Sequence, residues 1–246
     1  VYRAAEVLEK NGDANKTITA YKKYLKEYSN LEGQAVREVE AHLRLGQLYR
    51  DQKDRKKAEQ EFEAAIDLFA SRGLQNGTAD AALPAEAQFM LAEYALDDVL
   101  KIELKSTNSK KLEGEAKKLF DALIKVTAEY DKVYTYRSFD WVLAAMYRRG
   151  YAFETVANRV VDAPVPAALK KGSDAYFAYK ITVAEAMEPF IQKAVGLYEE
   201  CIKRGKEFRI NNVWTSRALE RLNVYKADEY PLLRDAALAL EPEDRR

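Results

Sequence analysis

The side chains that could do chemistry are few, and their placement argues against it. Catalysis by a nucleophile and a base needs Ser or Cys within reach of His, and the chain has 1 His, His42, and 1 Cys, Cys201. Both fall where a helix would pack on its neighbour, so each is expected to fill space. That same pair cannot supply the usual zinc ligand set, and a dinuclear carboxylate bundle would need two Glu-x-x-His pairs. Adjacent Asp97 and Asp98 could hold magnesium and a diphosphate, but the run continues Val99-Leu100-Lys101 without a further acid. They read as solvent-facing or groove-facing charges. Glycine-rich phosphate loops and dinucleotide fingerprints do not occur. The expectation is a protein that is not an enzyme and carries no cofactor or metal, so that its function resides in a surface.

The elements that would present such a surface are helices. The chain has 246 residues, 48% of them hydrophobic, with 40 Lys+Arg against 40 Asp+Glu and only 10 Gly and 6 Pro. Nucleic-acid binding as the main role would need a basic field that this balance lacks, so no nucleic-acid partner is expected. Apolar runs such as Phe89-Met90-Leu91-Ala92-Glu93 are broken by charge well short of the roughly 20 residues that cross a bilayer, so no membrane span is expected. Val1 is not preceded by a basic and apolar leader, and any export signal or anchor is expected to lie outside this sequence. Oligomeric state is not encoded in any of these features.

Apolar residues recur on one helical face in Ala58, Phe62, Ala65, Ile66 and Phe69, in Ala116 to Tyr130, and in Phe190 to Ile202. Turn-rich breaks such as Asn11-Gly12-Asp13, Asp51 to Asp54, Ser71 to Pro84 and Lys171-Gly172-Ser173-Asp174 cut the chain into helical hairpins. The spacing of small and large residues repeats. Its sharpest copy is His42-x2-Leu45-Gly46-x2-Tyr49 followed by Ala58-x3-Phe62-x2-Ala65, which resembles the tetratricopeptide repeat, with His at the usual Trp and Ala70 at the usual Pro. Weaker copies are Thr17-x3-Tyr21-x2-Tyr24, Ala116-x3-Phe120-x2-Leu123, Leu143-Ala144-x2-Tyr147 with Val156-x3-Val160-x2-Ala163, and Ala194-x3-Tyr198-x2-Cys201.

The resemblance implies an all-α, right-handed superhelical solenoid over residues 1–230. It would contain about five degenerate hairpins, a capping helix near 213–226 and a frayed tail over 231–246. First helices would line a concave groove that takes a protein or peptide segment. That nominates Glu40, Leu43, Gln47, Arg50 and Asp51 from the clear repeat and Glu86, Phe89, Glu93 and Asp97 from the next. Leu43 and Phe89 would be apolar anchors, and Arg50 would select carboxylates or carbonyls. The chaperone-binding branch of the family grips a C-terminal carboxylate with Lys and Asn where this chain has Leu43, Arg44 and Gln47, which argues against that ligand. The cluster Tyr130, Tyr134, Tyr136, Phe139 and Trp141 is expected to pack a junction between hairpins. Long irregular repeats, together with the segment around Trp214 to Tyr230, are similar to repeat proteins of bacterial envelope and gliding-motility complexes. A periplasmic or envelope location is therefore expected, with a cytoplasmic adaptor or a self-associating subunit as alternatives.

Overall fold

A computed structural model of the chain describes residues 1–29 and 31–231. Nine α-helices follow one another among them: α1 Tyr2–Lys10, α2 Ala14–Tyr28, α3 Ala35–Asp51, α4 Arg55–Ser71, α5 Ala82–Lys101, α6 Ser109–Val133, α7 Phe139–Val161, α8 Asp174–Phe208 and α9 Val213–Tyr225. Short polar caps start several of them. Asp13, Asp54, Asn108 and Ser173 each accept a backbone N–H from the first turn, and Asn212 forms a reciprocal capping box with Thr215.

The first two hairpins share one turn. After α1 the Gly12 N–H donates to Glu9 O and the Asp13 N–H to Leu8 O; after α3 the Lys53 N–H donates to Arg50 O and the Asp54 N–H to Tyr49 O. This Schellman arrangement needs a left-handed residue, supplied by Gly12 at φ 76° and by Lys53 at φ 62°. The aspartate that follows then caps the second helix.

Pairing runs α1 with α2, α3 with α4, α5 with α6 and α7 with α8, and α9 packs on α8 and α7. Three apolar clusters succeed one another along the array, centred on α1–α5, α5–α7 and α7–α9. First helices α3, α5, α7 and α9 also touch one another in succession, while the second helices α2, α4, α6 and α8 make no comparable contact. The array therefore curves with its first helices inside.

One expected hairpin does not exist. The spacing of Leu143 to Tyr147 and Val156 to Ala163 predicts two helices, yet α7 runs unbroken from Phe139 to Val161. The lone breaker between them, Gly150, costs a helix only about 1 kcal/mol, and its missing side chain makes room for α8. Among the described residues there are thus four hairpins and a further helix, α9, in the place of the next first helix. The tail expected to fray lies, apart from Pro231, outside the described residues.

Candidate protein-binding surface

Three of the four hairpins close on one contact between a small residue and a ring. A β-carbon at Gly46 would lie 2.5 Å from the Phe62 ring, and one at Gly150 would lie 2.6 Å from the Tyr198 ring. Ala5 and Tyr21 take these places in the first hairpin, both buried in the same cluster. In the third hairpin Phe89 faces Tyr130, with ring centroids 5.7 Å apart. Its second-helix pattern is therefore Val126-x3-Tyr130-x2-Val133, all three fully buried. Ala116 and Phe120, expected to pack this repeat, are only partly buried, and Phe120 instead meets Phe190 of α8 at 5.4 Å. The long α6 carries two overlapping apolar stripes, and the upstream one was the wrong choice.

Polar side chains repeat as well. The Tyr21 hydroxyl donates to Glu9 at 2.8 Å, Tyr130 donates to Glu93, and Tyr198 donates to Glu154 at 2.7 Å. In the last two cases an arginine of the following first helix closes the triad: Arg148 on Glu93 and Arg221 on Glu154. The second hairpin has Phe62 at the tyrosine place and Arg50 at the glutamate place, so ring hydroxyl and acceptor are lost together. Burial raises the pKa of Glu93 above the ordinary carboxylate range, against the pull of Arg148 and Tyr130. Burial also opposes ionisation of Glu154, but donation from Arg221, Tyr225 and Tyr198 outweighs it and holds that carboxyl below its ordinary value.

The nominated groove residues divide sharply. Leu43 and Phe89 are 1% and 2% exposed and belong to the core, so neither can anchor a partner. Phe89 is enclosed by Trp141 at 5.1 Å and by Trp214 of α9 at 5.5 Å. The inward curve brings α9 back over α5, which no pattern within one hairpin could show. Glu40 pairs with Arg44 at 3.8 Å, Gln47 donates to Glu86, and Arg50 reaches Asp51 at 3.2 Å and the Met90 sulfur at 3.0 Å. Asp51 and Asp97 are exposed. Most of this set is thus a polar network that joins successive first helices.

Other residues of the inner side were not foreseen. Arg148 stacks over the Tyr151 and Trp214 rings, 5.7 Å from each, and Arg217 covers Trp214 at 5.3 Å. Tyr151, Thr155 and Asn158 line a polar cleft of about 520 Å³ with Arg221 and Lys105. Recognising Gly150 as the counterpart of Gly46 would have placed Tyr151 and Thr155 where Gln47 and Asp51 stand.

Remaining expectations concern packing. Leu45, Tyr49, Ala58, Phe62, Ala65, Ala194, Tyr198 and Cys201 are buried. His42 is partly exposed, with Nδ1 2.7 Å from a Glu61 oxygen. Burial pushes the Cys201 thiol up to about 12, where almost no thiolate exists at neutral pH. Asp98 is held by both terminal nitrogens of Arg55 at 2.6 and 2.8 Å, which uses it structurally. The tyrosine-rich junction is dispersed: Tyr136 meets Phe69, Phe139 meets Phe208, and Trp141 meets Phe89. Among the described residues no three His, Cys, Asp or Glu side chains gather as a metal site, and no helix is long and apolar enough to span a membrane.

Hairpins that repeat one contact, stacked so that their first helices face inward, define an all-α solenoid of the kind that presents surfaces to other proteins. The tetratricopeptide repeat family model matches residues 1–30 and 40–71, the hairpins α1–α2 and α3–α4. The first two hairpins are thus similar to tetratricopeptide repeats. No curated protein matches it. Repeats of this kind mark a protein-interaction scaffold, and the family is generally non-catalytic.

Proposed function

We propose that this chain is a non-enzymatic scaffold that binds a segment of another protein along its inner side. The reading rests on one observation: α3, α5, α7 and α9 touch in succession and present exposed Arg50, Asp51 and Asp97 beside the half-buried Tyr151 and Arg217–Trp214 stack. Alternating charges next to aromatic faces suit an extended segment with mixed side chains, because each short contact can be matched separately. An envelope or motility complex is the proposed setting. To test the site, a photo-cross-linking amino acid is placed at Arg50, Asp97 or Tyr151, or at Glu63 and Lys125 on the second helices. In the native cell, adducts with one protein partner are expected only from the first three. Adducts from Glu63 and Lys125 alone would refute inner-side binding, and recovery only from soluble cytoplasm would refute the envelope setting.

A second reading, self-association, is favoured by Phe177 and Ile181, which lie one turn apart on α8 and are 55% and 58% exposed. Light scattering over a concentration series separates the two. A mass that rises with concentration and reverts to monomer in Ile181→Glu would support a self-associating subunit.

A further inference from the structure

A second concavity adjoins the polar cleft of the inner side, sharing Leu104 and Ala163 with it, where α6 and the N-terminal half of α8 meet two extended loops. It measures about 410 Å³, and its walls include Leu104, Leu112, Ala116, Val160, Leu169 and Val183. The site is built in advance. Glu115 accepts the backbone N–H groups of Lys105 and Ser106 at 3.0 and 3.1 Å, and the Ala167 N–H donates to Thr107 O at 2.9 Å, so the loops are tied to α6 and to each other.

The rim is basic. Lys110 and Lys117 flank the α6 wall, Lys170 and Lys171 follow Leu169, and Lys180 flanks the α8 wall; all five are exposed. None makes an ion pair among the described residues. Glu113 is the one charged residue in the lining itself, and Asp162 and Asp174 on the bounding segments are exposed as well. Lys110 and Lys111 also stand in the first turn of α6, which has no acidic residue, so the helix dipole adds to the positive field. An apolar trough whose bordering segments carry five unpaired lysines against three acids calls for a ligand with an apolar ridge and acidic flanks.

We propose that this trough binds an acidic amphipathic helix of a partner protein, at a site next to the inner-side cleft. Leucines three and four residues apart would enter the trough, while glutamates on either side meet the lysine rim. A flat anionic bilayer would reach the lysines but not the recessed walls, which favours a protein ridge.

The probe is a fluorescein-labelled helical peptide of 14 residues or so, with Leu at i, i+3, i+4 and i+7 and Glu elsewhere, beside an otherwise identical peptide with Lys for Glu. Fluorescence anisotropy should show saturable binding of the acidic peptide only, weakening steeply with salt. Lys170→Glu with Lys180→Glu should weaken it about tenfold, and Ala116→Tyr, which fills the trough without altering charge, should weaken it as much. Circular dichroism checks that both variants remain folded. No saturable binding, equal binding of the basic peptide, or affinity unchanged in both variants would each overturn the proposal. So would loss of peptide binding to competing vesicles of anionic phosphatidylserine combined with sedimentation of the protein on them, which would assign the rim to a membrane surface.

Discussion

Glycine at 46 and at 150 is a packing requirement, because any β-carbon there would stand inside the van der Waals radius of a ring on the partner helix. Gly46→Leu and Gly150→Ala should each lower unfolding free energy by about 1–3 kcal/mol, through overpacking and in spite of better helix propensity. An unchanged urea midpoint would show that the rings can move aside. Lys53 carries the opposite burden: it adopts the left-handed conformation that Gly12 adopts at the equivalent turn. Lys53→Gly should therefore stabilise the protein by about 0.5–1 kcal/mol in the same assay. The two triad glutamates respond to pH with opposite signs. Glu154 has a folded pKa below the unfolded value of 4.5, so its contribution is complete above that pH and is lost as acid protonates the folded form. Glu93 has a folded pKa above 4.5, so the folded state gains stability relative to the unfolded one as pH falls towards 4.5. Glu154→Gln should cost about 2–4 kcal/mol at pH 7 and progressively less below pH 4.5, measured by denaturation at each pH. Glu93→Gln should cost less than Glu154→Gln at pH 7, since it removes an ionisation that burial opposes.

Helix ends determine how the elements join. Arg159 of α7 donates to the carbonyls of Val99, Leu100 and Ile102, and so finishes α5 with a side chain from the next hairpin. These are the groups that a helix C-terminus leaves without an intrahelical partner. Arg159→Met should speed hydrogen exchange in the last turn of α5 with little change in the amides of α3, and equal exchange in both proteins would deny the cap a role. At the other end of the array, α9 starts from the Asn212 capping box, and the Asn212 side chain also donates to Asp140 of α7 at 3.0 Å. Asn212→Ala should cost about 1 kcal/mol, read as a lower thermal midpoint.

Across the whole molecule the apolar clusters overlap only with their neighbours, so stability passes along the array in one dimension. The most enclosed stretch is the middle, where Phe89, Trp141 and Trp214 from three successive first helices meet. Hydrogen exchange should find the largest opening free energies in α5 and α7 and the smallest in α1, and the reverse order would contradict a chain of nearest-neighbour contacts. The inner-side cleft and the trough adjoin at Leu104 and Ala163, which would place two bound segments side by side.

Much of this was legible in the order of residues. Helix periodicity, the polar turns and the Gly46–Phe62 spacing depend on contacts within one hairpin, so the all-α class and the clear second repeat follow from sequence. Arg50, Asp51 and Asp97, which helical spacing nominates, stand exposed. The α6 register was not legible, because two apolar stripes overlap there and only the facing helix selects Tyr130 over Phe120. Nor was the continuity of α7, since a single glycine reads alike as a turn or as a close contact. Leu43 and Phe89 became core, and Trp214 reached Phe89, through the curvature of the stack. Curvature arises when first helices pack more closely than second helices, and that is a sum over hairpins far apart in the chain which no local pattern contains.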